Sequence, residues 1–394
     1  MKFSSRAERI DPFYVMEVAK AAQAMAREVA GTSEPMIFLN IGEPDFTAPP
    51  LVQEAAAKAV RDGATQYTNA LGLDALRERI SGWYQSRFGV DVPARRIVVT
   101  AGASAALHLA CLALIERGDE ILMPDPSYPC NRHFVSAAEG RAVLVPTTAA
   151  ERYQLSSDKV QAAWTDKTRG VLLASPSNPT GTSIAPAELR RIHEVVQSRG
   201  GVTMIDEIYL GLSYEEEFGH TALAIDEHII SINSFSKYFN MTGWRLGWMV
   251  VPEALVPAIE RLAQNLFICA STIAQHAALA CFAPESLAEY ERRRAQFQAR
   301  RDYFIPALQQ LGLHVPVLPD GAFYAWADSR EAARRLGVAD SWELSFALME
   351  RAHLAVTPGR DFGTHAPGQY LRFSTANAME QLQEAVARLR RLLG

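Results

Sequence analysis

Between about residues 95 and 250, short apolar runs rich in β-branched residues alternate with amphipathic stretches. Runs of this kind are typical of buried strands, and the amphipathic stretches between them are typical of helices. We predict strands at residues 96–100, 120–123, 142–145, 170–174, 202–206, 229–233 and 247–251. This alternation indicates an α/β fold with a mostly parallel seven-stranded sheet and helices on both faces.

The pattern changes after Pro284. Residues 285–310 predict a long charged helix, and apolar runs at 313–317 and 322–326 predict short strands. A further helix is expected at 15–29, packed on this C-terminal part. We therefore predict three parts in the chain of 394 residues. They are an N-terminal segment (1–44), a large domain (45–285) and a smaller α+β domain (286–394).

Composition narrows the class of protein. A hydrophobic share of 48%, a charged share of 21% and a net charge of −5 are those of an ordinary soluble protein. They show no excess of positive charge for binding nucleic acid or an anionic membrane, and no apolar run is long enough for a membrane helix. The four cysteines are scattered, which favours neither a metal site nor a disulfide framework. We expect a cytoplasmic protein without a metal, a nucleic-acid partner or a membrane partner.

Lys237 is the first candidate for chemistry. It is one of only six lysines, and it alone lies among hydroxyl and aromatic residues after an apolar strand, in Ser-Phe-Ser-Lys-Tyr-Phe. Burial disfavours the ammonium form of a lysine, and the neutral amine is a nucleophile that forms Schiff bases. The alternative is a loop lysine whose ammonium group reaches solvent.

Other candidates stand where predicted strands end, which is where open α/β sheets bind ligands. The small residues after Gly102 open a helix whose free amides could bind a phosphate, or could simply pack closely on the sheet. Asn178 lies in a proline-rich loop, either as a fixed hydrogen-bond donor or as part of a plain turn. Asp206 ends an apolar strand, where a carboxylate is costly unless it meets a cation.

The hydroxyls of Ser234 and Ser236 and the guanidinium of Arg245 could form a cradle for a phosphate dianion. An amine, a phosphate cradle and a buried carboxylate together suit pyridoxal 5′-phosphate, which carries an aldehyde, a phosphate and a basic ring nitrogen. The rival interpretation takes Asp206-Glu207 as the end of a Walker B strand in a nucleotide hydrolase. It fails because the chain has no Gly-Lys pair for a Walker A loop, and a dinucleotide-binding G-x-G is also absent.

The motifs occur in an order that resembles a known family, the class I aminotransferases of fold type I, or aspartate aminotransferase superfamily. The resemblance covers nearly the whole chain. It rests on residues 40–46, Tyr67 with Gly72, and residues 76–77, 100–102, 126–129, 177–181, 206–209, 234–237, 243–247, 321–324 and 371–374. It implies an enzyme that moves an amino group between an L-amino acid and a 2-oxo acid in two half-reactions.

The resemblance also implies roles for the catalytic residues. Lys237 would hold pyridoxal 5′-phosphate as a Schiff base and then move the Cα proton of the substrate. Asp206 would keep the pyridine nitrogen protonated, and Tyr209 would bond the phenolic oxygen of the ring together with Asn178. Arg372 would grip the substrate α-carboxylate, assisted by Asn178 and the backbone of Gly42.

The remaining implied roles concern the cofactor and the partner subunit. Tyr128 would stack on the ring face. The phosphate would be held by Ala103, Ser104, Ser234, Ser236 and Arg245. Tyr67 would reach the phosphate of a neighbouring subunit, which implies a homodimer with shared active sites.

Substrate preference rests on a departure from the family pattern. Many aspartate-using relatives have a lysine where this chain has Ser104, so a distal carboxylate would lack a partner there. Phe13 and Tyr14 resemble the segment that covers the substrate side chain, which favours neutral or aromatic amino acids, although both could be plain packing residues. The alternatives left open are an aspartate aminotransferase and a C–S lyase that uses the same cofactor and fold.

Overall fold

The structure, a computed structural model, describes residues 2–10 and 14–394. The strands of this part are β1 (Ile37–Phe38), β2 (Ile97–Thr100), β3 (Glu120–Asp125), β4 (Arg141–Pro146), β5 (Thr168–Ala174), β6 (Val202–Asp206), β7 (Ile230–Ser234), β8 (Gly247–Val250), β9 (Tyr324–Asp328), β10 (Leu354–Ala355), β11 (Thr357–Pro358) and β12 (Tyr370–Ser374).

Its α-helices are α1 (Ser5–Arg9), α2 (Tyr14–Glu28), α3 (Pro50–Arg61), α4 (Asp74–Phe88), α5 (Ala103–Leu114), α6 (Pro129–Ala137), α7 (Ser157–Ala163), α8 (Pro186–Ser198), α9 (Val256–Leu266), α10 (Thr272–Leu279), α11 (Pro284–Gln310), α12 (Arg330–Leu336), α13 (Ser341–Ala352) and α14 (Met379–Leu393). None of the helices in these described ranges is long and apolar enough to cross a membrane.

The central sheet has seven strands in the order β2-β8-β7-β6-β5-β3-β4. Strand β8 runs antiparallel to both of its neighbours, and the other pairs are parallel. All seven predicted strands are confirmed, with small shifts at their ends. Because β2 and β7 both run against β8, the carboxyl ends of β2, β3, β5, β6 and β7 lie on the same edge of the sheet.

Helices cover both faces of this sheet, as the sequence pattern predicts. On one face Leu172 and Met204 pack with helices α5 and α9. On the other face Leu173 and Ile205 pack with helix α8. Neighbouring residues of a strand point to opposite faces, so every second residue enters the same core.

A second core surrounds the three-stranded antiparallel sheet β11-β12-β9 and includes residues of α11, α13 and α14. Strand β1 pairs in parallel with β10, and α2 packs through Val18 and Ala22 against Met349 and Ala355. The N-terminal segment therefore contacts the C-terminal part of the chain. The domain bounds at 44 and 285 stay a prediction.

One predicted strand is wrong. Residues 313–317 form no strand, and His314 makes only an isolated bridge with Asp328. Pro316 explains the difference, because proline has no backbone N–H to donate to a sheet. The strand predicted at 322–326 is present but shifted, as β9.

Candidate active site

A cavity of about 510 Å³ lies at the edge where the parallel strands end. This volume is within the range of about 300–1,000 Å³ that is usual for small-molecule sites. Its lining includes twelve of the residues that the sequence suggested: Gly42, Ala103, Ser104, Tyr128, Asn178, Asp206, Tyr209, Ser234, Ser236, Lys237, Arg245 and Arg372.

Lys237 follows β7 in a loop whose backbone is fixed by buried neighbours. Phe235 and Phe239 are both buried in the aromatic core, and the amide of Met241 donates to the carbonyl of Phe235. The Lys237 Nζ donates to the carbonyl of Gly42 at 2.5 Å. Burial is the main cause that lowers the pKa of Lys237 to about 8, opposed by the charge of Glu43. About a tenth of the amine is therefore neutral at pH 7, far more than for an ordinary lysine.

This pKa gives a prediction for cofactor capture. Because the neutral amine is the nucleophile, the rate at which the apoenzyme attaches pyridoxal 5′-phosphate should rise with pH and level off above about pH 8. Stopped-flow absorbance of the cofactor band measures this rate. A rate that keeps rising through pH 10, the range of an ordinary lysine, contradicts the lowered pKa.

Asp206 ends β6, and its carboxylate faces the cavity from a buried position. Its Oδ1 accepts a hydrogen bond from the amide of Ile208 at 3.1 Å, and no ion pair of the described residues includes it. Burial raises the pKa of Asp206 to about 7. A cation placed in the cavity would offset this cost of burial, which is the role of a partner such as a protonated ring nitrogen.

The neighbouring Glu207 points away from the cavity into the protein interior. Its carboxylate accepts hydrogen bonds from the hydroxyls of Thr221 and Ser231 and from the amide of Ala222. The carboxylate of Glu207 thus accepts three hydrogen bonds within the fold, whereas the carboxylate of Asp206 accepts one. Of the two adjacent carboxylates, only Asp206 is positioned to meet a ligand.

Two glycines bring an arginine and a helix N-terminus together. At Gly102, where φ is +83°, an added Cβ would lie 2.7 Å from Nη2 of Arg245. At Gly247 it would lie 2.7 Å from the amide nitrogen of Ala103. The first amides of α5 have no helical acceptor, so the guanidinium and these amides form an anion cradle next to Ser234 and Ser236.

Arg372 lies on β12 and is buried against the wall of the cavity. Its Nη1 donates to Oδ1 of Asn178 at 2.9 Å, and its Nη2 donates to the carbonyl of Asn40 at 2.6 Å. Its Nε is buried without a hydrogen-bond partner in the part of the chain that the structure describes. Because the Asn178 oxygen is occupied by Arg372, its amide nitrogen is left to donate into the cavity.

Tyr324 is a site residue to which no role was assigned from the sequence. Its hydroxyl lies 2.7 Å from the hydroxyl of Tyr209, and the guanidinium of Arg372 lies 4.6 Å from the centre of its ring. Burial raises the pKa of both phenols, so both are neutral donors. Its motif, residues 321–324, was recognised, but only the fold shows that β9 brings it opposite Tyr209.

The N-terminal helix contributes a different set of residues from the one expected. The ring of Tyr14 lies outside the cavity, with the guanidinium of Arg360 at 4.4 Å from its centre and Trp342 at 6.1 Å. Tyr14 is therefore not among the residues that line the cavity, its contribution to substrate binding stays a prediction, and Phe13 lies outside the described residues. The α2 residues that line the cavity are Val15, Met16, Ala19 and Gln23.

Tyr67 does not line the cavity of its own chain. Its side chain is 79% exposed. The preceding residue is tied to α10, because the hydroxyl of Thr272 donates to the carbonyl of Gln66 at 2.6 Å. An exposed tyrosine of this kind is available to a second subunit. Its role in a partner's site stays a prediction.

Comparison with known proteins places these features in a family. Residues 34–389 match the family described as aminotransferase class I and II. The valine–pyruvate aminotransferase of Mycobacterium tuberculosis is 35% identical over 381 residues, covering 96% of each chain. The aspartate aminotransferase of Geobacillus stearothermophilus is 32% identical over 399 residues, covering 100% of this chain and 99% of its own. A crystal structure of an aminotransferase from Mycobacterium tuberculosis superposes with a TM-score of 0.94 at 35% identity, covering 100% and 99% of the two chains.

These matches define a pyridoxal-phosphate-dependent transferase of fold type I. The chain belongs to the class I and II aminotransferase family and is an aminotransferase with pyridoxal 5′-phosphate as its cofactor. The predicted family, fold class, enzyme class and cofactor are confirmed. Its substrates are amino acids and 2-oxo acids.

Proposed function

We propose that this cavity transfers the amino group of a neutral L-amino acid to a 2-oxo acid, with Lys237, Asp206 and Arg372 as the principal residues. One observation supports this most strongly. A lysine of lowered pKa and a carboxylate of raised pKa face the same cavity as a cradle for a phosphate. Each of the three groups matches a different functional group of the cofactor.

The residues present fit the cofactor. The amides at the start of α5, with Ser234, Ser236 and Arg245, would hold its phosphate. Asp206 would meet the ring nitrogen, Tyr128 the ring face, and Asn178 with Tyr209 the ring oxygen. When bound, the cofactor supplies an electron sink that makes the Cα proton of the amino acid acidic.

The chain's own residues would then bind the substrate and move its proton. Arg372 binds the α-carboxylate through its guanidinium group, which lines the cavity. Lys237 takes the Cα proton as a neutral amine, and a pKa of about 8 is close enough to neutral pH for it to serve as base and then as acid. The hydroxyls of Tyr209 and Tyr324 are hydrogen-bonded to each other, which keeps one O–H donor in a fixed position beside Lys237 and Arg372.

Replacing Arg372 by leucine tests the carboxylate site. A charge-assisted pair is worth roughly 1.5 to 3 kcal/mol, so KM for amino acids should rise about 10- to 150-fold. Steady-state kinetics with several donors measure this, with cofactor retention checked by absorbance. The exposed Arg351→Leu is the control and should leave KM within about twofold, since surface substitutions have small effects. An unchanged KM in Arg372→Leu rules out the role.

The preference for a neutral amino acid follows from the cavity residues that bind neither the cofactor nor the α-carboxylate. Met16, Ala19 and Leu107 present apolar side chains, and Ser104 offers no charge. The only cations in the described lining are Lys237, Arg245 and Arg372, each of which has a role already, and Glu43 would repel a second carboxylate. A distal carboxylate would therefore lose its hydration without gaining a partner. The relatives are named for different substrates, valine with pyruvate in one case and aspartate in another, so the preference rests on the lining of the cavity.

Comparing kcat/KM for aspartate with valine, alanine, methionine and phenylalanine tests this preference. Apolar side chains gain about 25 cal/mol for each Å² that they bury, so the best neutral donor should exceed aspartate by at least about tenfold. Glutamate is measured alongside as a control, because an aminotransferase must also accept a common amino-group partner in its second half-reaction. If aspartate wins by about tenfold, or about 1.4 kcal/mol, the neutral preference is wrong and an aspartate aminotransferase is the correct alternative.

We also propose that the enzyme is a homodimer in which Tyr67 reaches the phosphate of the neighbouring active site. The exposure of this tyrosine supports it. Sedimentation equilibrium of the holoenzyme should give twice the chain mass, and a fully active monomer would contradict the shared site.

A further inference from the structure

A second cavity, of about 590 Å³, lies at the outer edge of the central sheet beside β4. Side chains from separate segments of the chain converge on it: α1, the turn before β3, α6 and the start of β4. We call it the arginine basin, and its charged lining residues are Arg9, Arg117, Arg132, Arg141, His133 and Glu139. It shares no lining residue with the active-site cavity.

Positive charge exceeds negative charge in the arginine basin. Glu139 is the one carboxylate among the described residues that line it. Arg141 is paired with Glu120, and the hydrogen bond from Arg141 is the main cause that lowers the pKa of Glu120. Four guanidinium groups against these two carboxylates leave an excess of two positive charges, in a chain whose net charge is −5.

The uncompensated arginines are available to a ligand. Arg9, Arg117 and Arg132 make no ion pair with any described residue, and Arg9 and Arg117 are exposed. Arg132 donates through Nη1 to the carbonyl of Asp361 at 3.0 Å, and its charge also acts on the carboxylate of Asp361, so it is less available to a ligand than Arg9 and Arg117. Isolated surface arginines are usually just solvated. Four arginines that converge on one concave, mostly polar surface instead resemble the forks with which proteins bind phosphate and carboxylate groups.

We propose that the arginine basin is a second ligand site, for a small multivalent anion that carries two or more phosphate or carboxylate groups. A monovalent ion would leave part of the charge excess unpaired, whereas two anionic groups match it. Contacts of one residue, Asp361, link this site to the catalytic one. The Asp361 whose carbonyl Arg132 binds accepts the amides of Tyr14 and Val15 through its carboxylate, at the start of the helix that lines the active site.

The choice of variants follows from these contacts. Arg132 and Arg141 hold Asp361 and Glu120, so their loss would disturb the fold as well as the basin. Arg9→Ser with Arg117→Ser removes two exposed charges that have no described ion-pair partner. The matched control is Arg190→Ser, at an exposed position of α8, with Arg199→Ser, at the exposed position directly after α8, which removes the same charge elsewhere.

The test is calorimetric titration of the holoenzyme, reduced with borohydride so that the cofactor phosphate keeps its own site filled. Inorganic pyrophosphate is the phosphate probe and citrate the carboxylate probe. We expect saturable binding of at least one probe, weakened at least about tenfold in Arg9→Ser/Arg117→Ser and changed less than about twofold in the control. The probe that binds more tightly identifies the anionic group. No saturable binding of either probe to the wild-type enzyme, or equal weakening in both double variants, overturns the proposal.

Discussion

Replacement of Lys237 by alanine should lower kcat for amino transfer by at least about 10⁴-fold, the upper range for loss of a general acid–base group. The expected loss is this large because one amine serves both as the attachment point of the cofactor and as the base for the Cα proton. No other lysine approaches the cavity among the described residues that line it. Single-turnover absorbance with an amino acid in excess measures the rate.

Two comparisons separate a catalytic loss from a folding defect. The exposed Lys167→Ala should react within about twofold of the wild-type rate. Added methylamine should restore part of the activity of Lys237→Ala, because a small neutral amine can enter the space that the side chain vacates and accept the proton. A Lys237→Ala enzyme within tenfold of the wild-type rate would remove Lys237 from the mechanism.

Asp206→Ala should retain the cofactor through Lys237 and the phosphate cradle, yet lose about 10²- to 10³-fold in half-reaction rate. That magnitude is typical when one preorganised electrostatic partner is removed from an enclosed site. The exposed Asp158→Ala is the control and should be unaffected. A near wild-type rate in Asp206→Ala contradicts the role assigned to this carboxylate.

Stability gives an independent measurement on the same residue. The pKa of Asp206 is raised to about 7 in the folded protein, above the ordinary value of 3.8. The unfolded state therefore releases its proton first, and Asp206 costs the apoenzyme stability as pH rises from about 4 to 7. Asp206→Asn should raise the free energy of unfolding of the apoenzyme more at pH 8 than at pH 4. An equal effect at both pH values would show that the carboxylate is not destabilised by burial.

The sequence predicts those features that depend on short segments. The central strands are recognisable because each is a compact apolar run. Asp206 ends one of them, and Lys237 and Asn178 follow two others by three and four residues. Their convergence then follows from the parallel order of the sheet. The strand predicted at 313–317 is absent because Pro316 interrupts the hydrogen bonds that its apolar pattern would otherwise favour.

The substrate side of the cavity depends on contacts between distant parts of the chain. The carboxylate of Asp361 binds the first amides of α2, hundreds of residues earlier in sequence, and this sets which face of the helix meets the cavity. Met16, Ala19 and Gln23 lie on that face, whereas Tyr14 packs on Arg360. The spacing of these residues fits one helical face, but nothing local to the segment shows which face turns inward.

Borohydride reduction of the holoenzyme followed by peptide mapping tests the central claim most directly. The reduction fixes the cofactor on the amine that holds it, and digestion then separates the six lysines of the chain. The label should be found on the peptide that contains Lys237 and on no other. A label on a different lysine would contradict the assignment of this cavity as the active site.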